Sequence, residues 1–131
     1  MTYFLDTNVC IHYERNVSLE LYYKVMKNID NIKIPSMVAA EFMLGAEKSA
    51  KRGTTLKYCR DFLEQFEIVG FDKSAAFLYA ELRATLERRG LLIGANDMVI
   101  ASTVLAHRGI LVTNNIREFE RIENLQIEDW L

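Results

Sequence analysis

The chain reads as an α/β protein with a mostly parallel central sheet of four to five strands, flanked by helices. Short β-prone runs at residues 2–5, 32–35, 67–71 and 110–113 recur along it. Each is separated from the next by segments whose apolar residues repeat at helical spacing. Residues 98–106 are apolar on nearly every face, as a helix buried against a sheet would be. Alternation of this kind implies parallel strands covered on both sides, with ligands bound beyond the strands' carboxyl ends.

Thr2, Tyr3, Phe4 and Leu5 form the first strand, and Asp6-Thr7-Asn8 can cap a helix running to about residue 15. Leu21, Tyr22, Val25, Met26 and Ile29 stripe a second helix, on which Glu20 and Lys24 are paired one turn apart. Pro35 lacks an amide hydrogen for the ladder and so suits the end of the strand that begins at Ile32. Ser36 is a candidate cap for the next helix, which carries Glu41 to about residue 50; Gly53 interrupts before a helix striped by Leu56, Cys59, Phe62, Leu63 and Phe66. Asp72 or Ser74 can start a long helix that Gly90 ends after Arg89. Gly109 is read as the stop of the buried helix, ahead of the fourth strand. A helical turn around Arg117 and an edge segment near residues 126–127 finish the chain.

A length of 131 residues suits one compact domain spanning 1–131, with enough chain for a real core. No apolar run approaches the roughly 20 residues of a membrane span, and the N-terminus does not read as a signal peptide, so a cytoplasmic protein is expected. Cys10 and Cys59 are too few for a disulfide framework or zinc ligand set, and read as buried thiols. A net charge of −2 argues against nucleic-acid binding through a general positive field. Local patches remain: Lys48, Lys51, Arg52, Lys57 and Arg60 crowd one stretch, and Arg83, Arg88 and Arg89 another. Either is also an ordinary solvated helix face.

Four acids fall where such a fold brings chain segments together. Asp6 ends the first strand, Glu41 follows the second, Asp97 opens the buried helix, and Glu118 follows the fourth strand. Two carboxylates about 4 Å apart repel by roughly 4 kcal/mol at an effective dielectric near 20. Gathering several therefore calls for a cation or proton, and a hard divalent ion with oxygen ligands and retained water is the usual solution. Such an ion can activate water and stabilise a phosphodiester transition state. No Gly-rich phosphate loop or nucleophile elbow is present, and Asn8 stands where a phosphoaspartyl hydrolase wants a second Asp. His12 and His107 have no ligand partners at metal spacing and read as surface or helix-end residues.

FLDTN with Asp6, Glu41 after SMVAAEF, Asn96-Asp97 followed by MVIAS, and VTNNIREFERI together resemble the PIN-domain ribonucleases. Within them the chain is most similar to the VapC-type toxins of bacterial toxin–antitoxin pairs. The resemblance implies a PIN-like three-layer sandwich and a Mg²⁺- or Mn²⁺-dependent cut in RNA. It assigns catalysis to Asp6, Glu41, Asp97 and Glu118, with Asp6, Asp97 and Glu118 as metal ligands and Asn8, Thr113 and Asn115 as supporting polar groups. Glu118 stands where the family often has Asp. The resemblance further implies a structured RNA substrate, commonly transfer RNA, a cognate VapB-type antitoxin, and a homodimer.

On these expectations, Lys48, Lys51, Arg52 and Arg117 are the candidates for drawing RNA phosphates past an acidic pocket. An antitoxin would plug the pocket with an arginine and lay an amphipathic segment near Phe42, Met43 and Leu44. Two alternatives use the same acids: a binding module with an acidic cleft and no chemistry, and a metal-dependent phosphatase or DNA nuclease.

Overall fold

A computed structural model describes all of residues 1–131. Five strands form one sheet: β1 (Tyr3–Leu5), β2 (Ile32–Pro35), β3 (Glu67–Val69), β4 (Ile110–Val112) and β5 (Gln126–Glu128), in the order β3-β2-β1-β4-β5. Every pairing is parallel, so the sheet is wholly rather than mostly parallel. Seven helices accompany it: α1 (Thr7–Glu14), α2 (Leu19–Lys27), α3 (Ser36–Glu47), α4 (Arg52–Glu64), α5 (Lys73–Arg89), α6 (Ala95–Ala106) and α7 (Ile116–Phe119).

The central strand β1 pairs with β2 on one side and β4 on the other, with Tyr3 opposite both Ile32 and Ile110. Phe4, Leu5, Ile34, Leu111 and Val112 on these three strands are completely buried. Helix α6 contributes Met98, Ile100, Ala101 and Val104 to the same core, as its lack of a polar face requires. Its two buried hydroxyls are satisfied locally, Ser102 donating to the Met98 carbonyl and Thr103 to that of Val99. Cys10 and Cys59 are both buried free thiols. No helix is long and apolar enough to cross a membrane.

Helix starts follow side-chain chemistry where a capping oxygen is available. Ser18 accepts from the Leu21 amide, and Asp72 from that of Ala75. Gly90 takes φ 67° and ends α5 in the left-handed conformation that a Cβ disfavours.

Four local expectations change. Ser36 is the first helical residue rather than the cap of α3; Pro35 occupies the cap position without a side-chain bond. Gly53 lies in the first turn of α4, and residues 48–51 make the break instead. Glu20 and Lys24 form no ion pair, since both are surface side chains that water solvates as well. Gly109 does not stop α6, which ends at Ala106 before Arg108 turns at φ 53°. Gly109 is needed for another reason: a Cβ there would stand 2.3 Å from the Phe4 ring.

His107, just past α6, places Nε2 3.3 Å from Asp72 Oδ2 at the start of α5. With only residues 90–94 joining the two helices, they run antiparallel. The C-terminal end of α5 therefore lies on the same side as the N-terminal end of α6, where Asp97 stands.

Candidate functional site

The predicted acids meet at the carboxyl edge of the sheet, held by five separate elements. Asp6 terminates β1 and caps α1; its Oδ1 accepts from the Thr7 amide at 2.8 Å and its Oδ2 from the Thr113 hydroxyl at 2.7 Å. Thr113, just past β4, accepts in turn from the Asn115 amide at 3.0 Å, which fixes the direction of its hydroxyl. Both Asp6 and Thr113 are buried.

Glu41 sits midway along α3 and is half-buried, although its immediate neighbours are apolar. The Thr7 hydroxyl donates to its Oε1 at 2.7 Å, and the Asn96 amide to its Oε2 at 3.3 Å. Asp97 lies in the first turn of α6, next to the Glu118 carboxyl of α7. The Asn115 side chain reaches Glu118 Oε2 at 3.5 Å. One network thus links Asp6, Glu41 and Glu118 through Thr7, Thr113 and Asn115, with Asn96 holding Glu41 and Asp97 beside Glu118.

The pocket over this network measures about 360 Å³ and is lined by Asp6, Thr7, Asn8, Glu41, Asp97, Asn114 and Asn115, without a single apolar residue. Such a wall is unsuited to an apolar ligand and suited to a hydrated one. Its electrostatics are strained. Burial holds Asp6 above the ordinary carboxylate range, against the pull of the Thr113 hydroxyl and the Thr7 amide. Burial, the Glu118 hydrogen bond and the charges of Asp6, Glu118 and Glu41 push Asp97 up to about 7. Like charges at close quarters strengthen the hold of this cluster on a proton.

No three acidic side chains converge into a ready-made ligand cage. Mg²⁺ does not need one, because it binds through one or two carboxylates and keeps several waters. The donor set is all hard oxygen and amide, and its surplus negative charge is what a divalent cation relieves, so the residues fit such an ion.

All four predicted acids and all three supporting groups lie in or beside this pocket, Asn8 and Asn115 on its wall and Thr113 beneath it. Thr7, Asn96 and Asn114 are additions. Thr7 was visible only as part of the cap Asp6-Thr7-Asn8, and Asn96 only through its place beside Asp97. Lys48 and Lys51 lie at and beyond the end of α3, with Lys48 roughly 10 Å along the helix axis from Glu41. Arg52 pairs with Glu47 at 2.7 Å, and Arg117 is exposed beside Glu118. None of these four lines the pocket. Phe42 is core, 3 % exposed, whereas Leu44 is 53 % exposed.

Residues 3–125 match the PIN domain family. The chain is 43 % identical to Ribonuclease VapC2 of Rickettsia felis over 99 % of its own length and 98 % of the relative's. It is 35 % identical to the tRNA(fMet)-specific endonuclease VapC of Salmonella typhimurium, again over 99 % and 98 %. Among solved structures it resembles the VapBC2 of Rickettsia felis bound to a DNA fragment from their promoter, at TM-score 0.94 and 41 % identity over 100 % of both chains. It also resembles the DNA-bound VapBC of Salmonella typhimurium, at TM-score 0.95 and 34 % identity over 100 % and 99 %. Fold, pocket and relatives agree: the chain belongs to the PIN-domain family and, within it, to the VapC ribonucleases.

Proposed function

We propose that this chain is a Mg²⁺- or Mn²⁺-dependent endoribonuclease toxin that cuts structured RNA, of the transfer-RNA class, and is silenced by a cognate antitoxin. The observation that carries this is the set Asp6, Glu41 and Asp97 in a pocket with no apolar wall, with Glu118 beside it against Asn115 and Asp97. The named substrate of the Salmonella relative supports the RNA class.

Asp6, Asp97 and Glu118 would hold the ion. When bound, it supplies an acidified water and stabilises charge on the phosphodiester. Glu41, clamped by Thr7 and Asn96, orients the attacking water. Thr113 and Asn115 hold Asp6 and Glu118 in place, while Asn8 and Asn114 face the pocket with amides for substrate. The net reaction adds water across one P–O bond, and no side chain forms a covalent intermediate.

Purified chain with Mg²⁺ or Mn²⁺ should cleave RNA, lose activity with chelator, and leave phosphomonoesters and duplex DNA intact. Full activity in Asp6→Asn would sink the assignment.

Inhibition follows from the same electrostatics, because a pocket that retains a proton near pH 7 also accepts an arginine. A cleft of about 370 Å³ among α1, α3 and α4, lined in part by Ile11, Phe42, Ala46 and Cys59, offers room for an apolar side chain of the antitoxin. Excess Mg²⁺ should weaken that complex if the arginine and the ion compete. The toxin acts as a homodimer in this reading, which sedimentation of the purified chain tests.

A further inference from the structure

We propose that a second cleft, built around Arg88, Arg89 and Arg121, binds the sugar–phosphate backbone of the RNA strand next to the bond that is cut. The proposal rests on the nuclease reading above and names the path of its substrate.

This cleft is the largest on the molecule, about 550 Å³, and lies between the C-terminal half of α5 and the segment after α7. Arg88 and Arg89 occupy the last turn of α5, and Arg121 comes from a different element. Two connections place it beside the acidic pocket. Residues 90–94 lead from Arg89 into the turn that bears Asp97, and Arg121 follows Glu118 by three residues. Arg121 Nη1 also donates to the Leu92 carbonyl at 3.2 Å and reaches that of Leu91 at 3.5 Å, tying the two segments together. Cleft and acids therefore share the same two stretches of chain.

The charge here is uncommitted. The ion pairs of the molecule engage Lys33, Arg52, Arg83 and His107, and none of the three cleft arginines. Arg88 Nη2 touches only the Thr85 hydroxyl, at 3.3 Å, and Arg121 keeps its remaining N–H groups for a ligand. Glu81 and Glu123 also line the cleft, so its surplus is one positive charge and its pull is local. Attraction to the α5 dipole accounts for arginines at a helix end, but not for a third arriving from elsewhere. Planar guanidinium groups match phosphate oxygens in pairs, which suits a backbone that carries one charge per nucleotide. By contrast, the Lys48–Arg52 stretch does not line the acidic pocket, and Glu47 already pairs with one of its three cations.

The test uses the full chain and a transfer-RNA transcript, with binding measured in chelator so that no cut occurs. Arg88→Gln/Arg89→Gln should bind roughly tenfold more weakly at 0.1 M salt. Its slope of log Kd against log salt should fall by about 0.7 for each phosphate that the variant no longer neutralises. With Mg²⁺ restored, KM should rise while kcat holds, and Lys48→Gln/Lys51→Gln should change either quantity less. Arg89→Gln alone, on an exposed side chain, gives a milder version if the double variant folds poorly. Unchanged affinity and slope in the arginine variants, while the parent still cuts the transcript, would overturn the cleft and leave the nuclease intact. A changed sedimentation coefficient with unchanged RNA binding would also overturn it, by assigning the arginines to a protein interface. Failure of the parent to cut any RNA is a separate outcome, read from the cleavage assay, and it removes the reading on which the cleft depends.

Discussion

Thr113 donates its hydroxyl to Asp6 Oδ2 at 2.7 Å, joining residues that lie 107 positions apart at the ends of adjacent strands. The hydroxyl replaces water that Asp6 gave up on burial. Thr113→Val keeps the shape and removes the donor, leaving a buried carboxyl short of a partner. Urea denaturation should show a loss of about 1–3 kcal/mol. Thr113→Ser should recover most of it; equal stability of the Val variant and its parent would show that Asp6 does without the bond.

Stability should depend on pH through Asp97. The fold raises this acid from 3.8 to about 7, so the folded chain holds the proton more tightly than the unfolded one. Its contribution is complete below about 3.8 and disappears as pH rises to about 7. Three pH units would be worth roughly 4 kcal/mol, but Asp97 is half-exposed and solvent screening reduces this to roughly 1–2 kcal/mol. In chelator, Asp97→Asn should remove that slope and exceed the parent's stability at pH 8. A parent curve parallel to the variant's across pH 4–8 would contradict the raised acid.

Metal should compete with the same proton. At subsaturating Mg²⁺, cleavage should rise about tenfold per pH unit up to about pH 7 and then level off. Saturating Mg²⁺ should move the bend to lower pH. A bend that ignores the ion concentration would place the titrating group elsewhere.

Glu41 takes its direction from two donors, Thr7 and Asn96. Removing both, as Thr7→Val/Asn96→Ala, should lower kcat by about 10–100-fold, the usual penalty for losing an outer-shell clamp. Metal affinity, measured by calorimetry, should change little, since neither residue belongs to the proposed ligand set. Unchanged kcat would mean that Glu41 needs no orienting.

Gly109→Ala should destabilise the protein by about 1–3 kcal/mol, because the added methyl collides with the fully buried Phe4 ring. Combining it with Phe4→Leu should return part of the loss in thermal unfolding, as expected of two residues that touch.

The strands and the four acids were legible because both announce themselves locally: β-prone runs have their own composition, and an acid ending an apolar run is conspicuous. Gly109 misled because a glycine between helix and strand looks like a stop signal, whereas its need arises from Phe4, far away in sequence. Gly53 misled in the opposite sense, since a first helical turn tolerates glycine more easily than an interior one. Thr7 could be read only as part of a cap, because its partner Glu41 is 34 residues away. The arginine cleft was half visible. Arg88 and Arg89 stood out as a charge run, but nothing local joins them to Arg121, which arrives through its hold on the Leu91 and Leu92 carbonyls.

The strand order β3-β2-β1-β4-β5 also has a consequence for how the molecule comes into being. β1 leaves the ribosome before either of its neighbours, and one of them, β4, is made only after residue 109. Asp6 is translated 112 residues ahead of Glu118. A nascent chain can pair β1 with β2, but it has neither Thr113 to hold Asp6 nor Glu118 to face Asp97 until synthesis has passed those positions. The carboxylates are dispersed along the nascent polypeptide and come together only once residue 118 has been made.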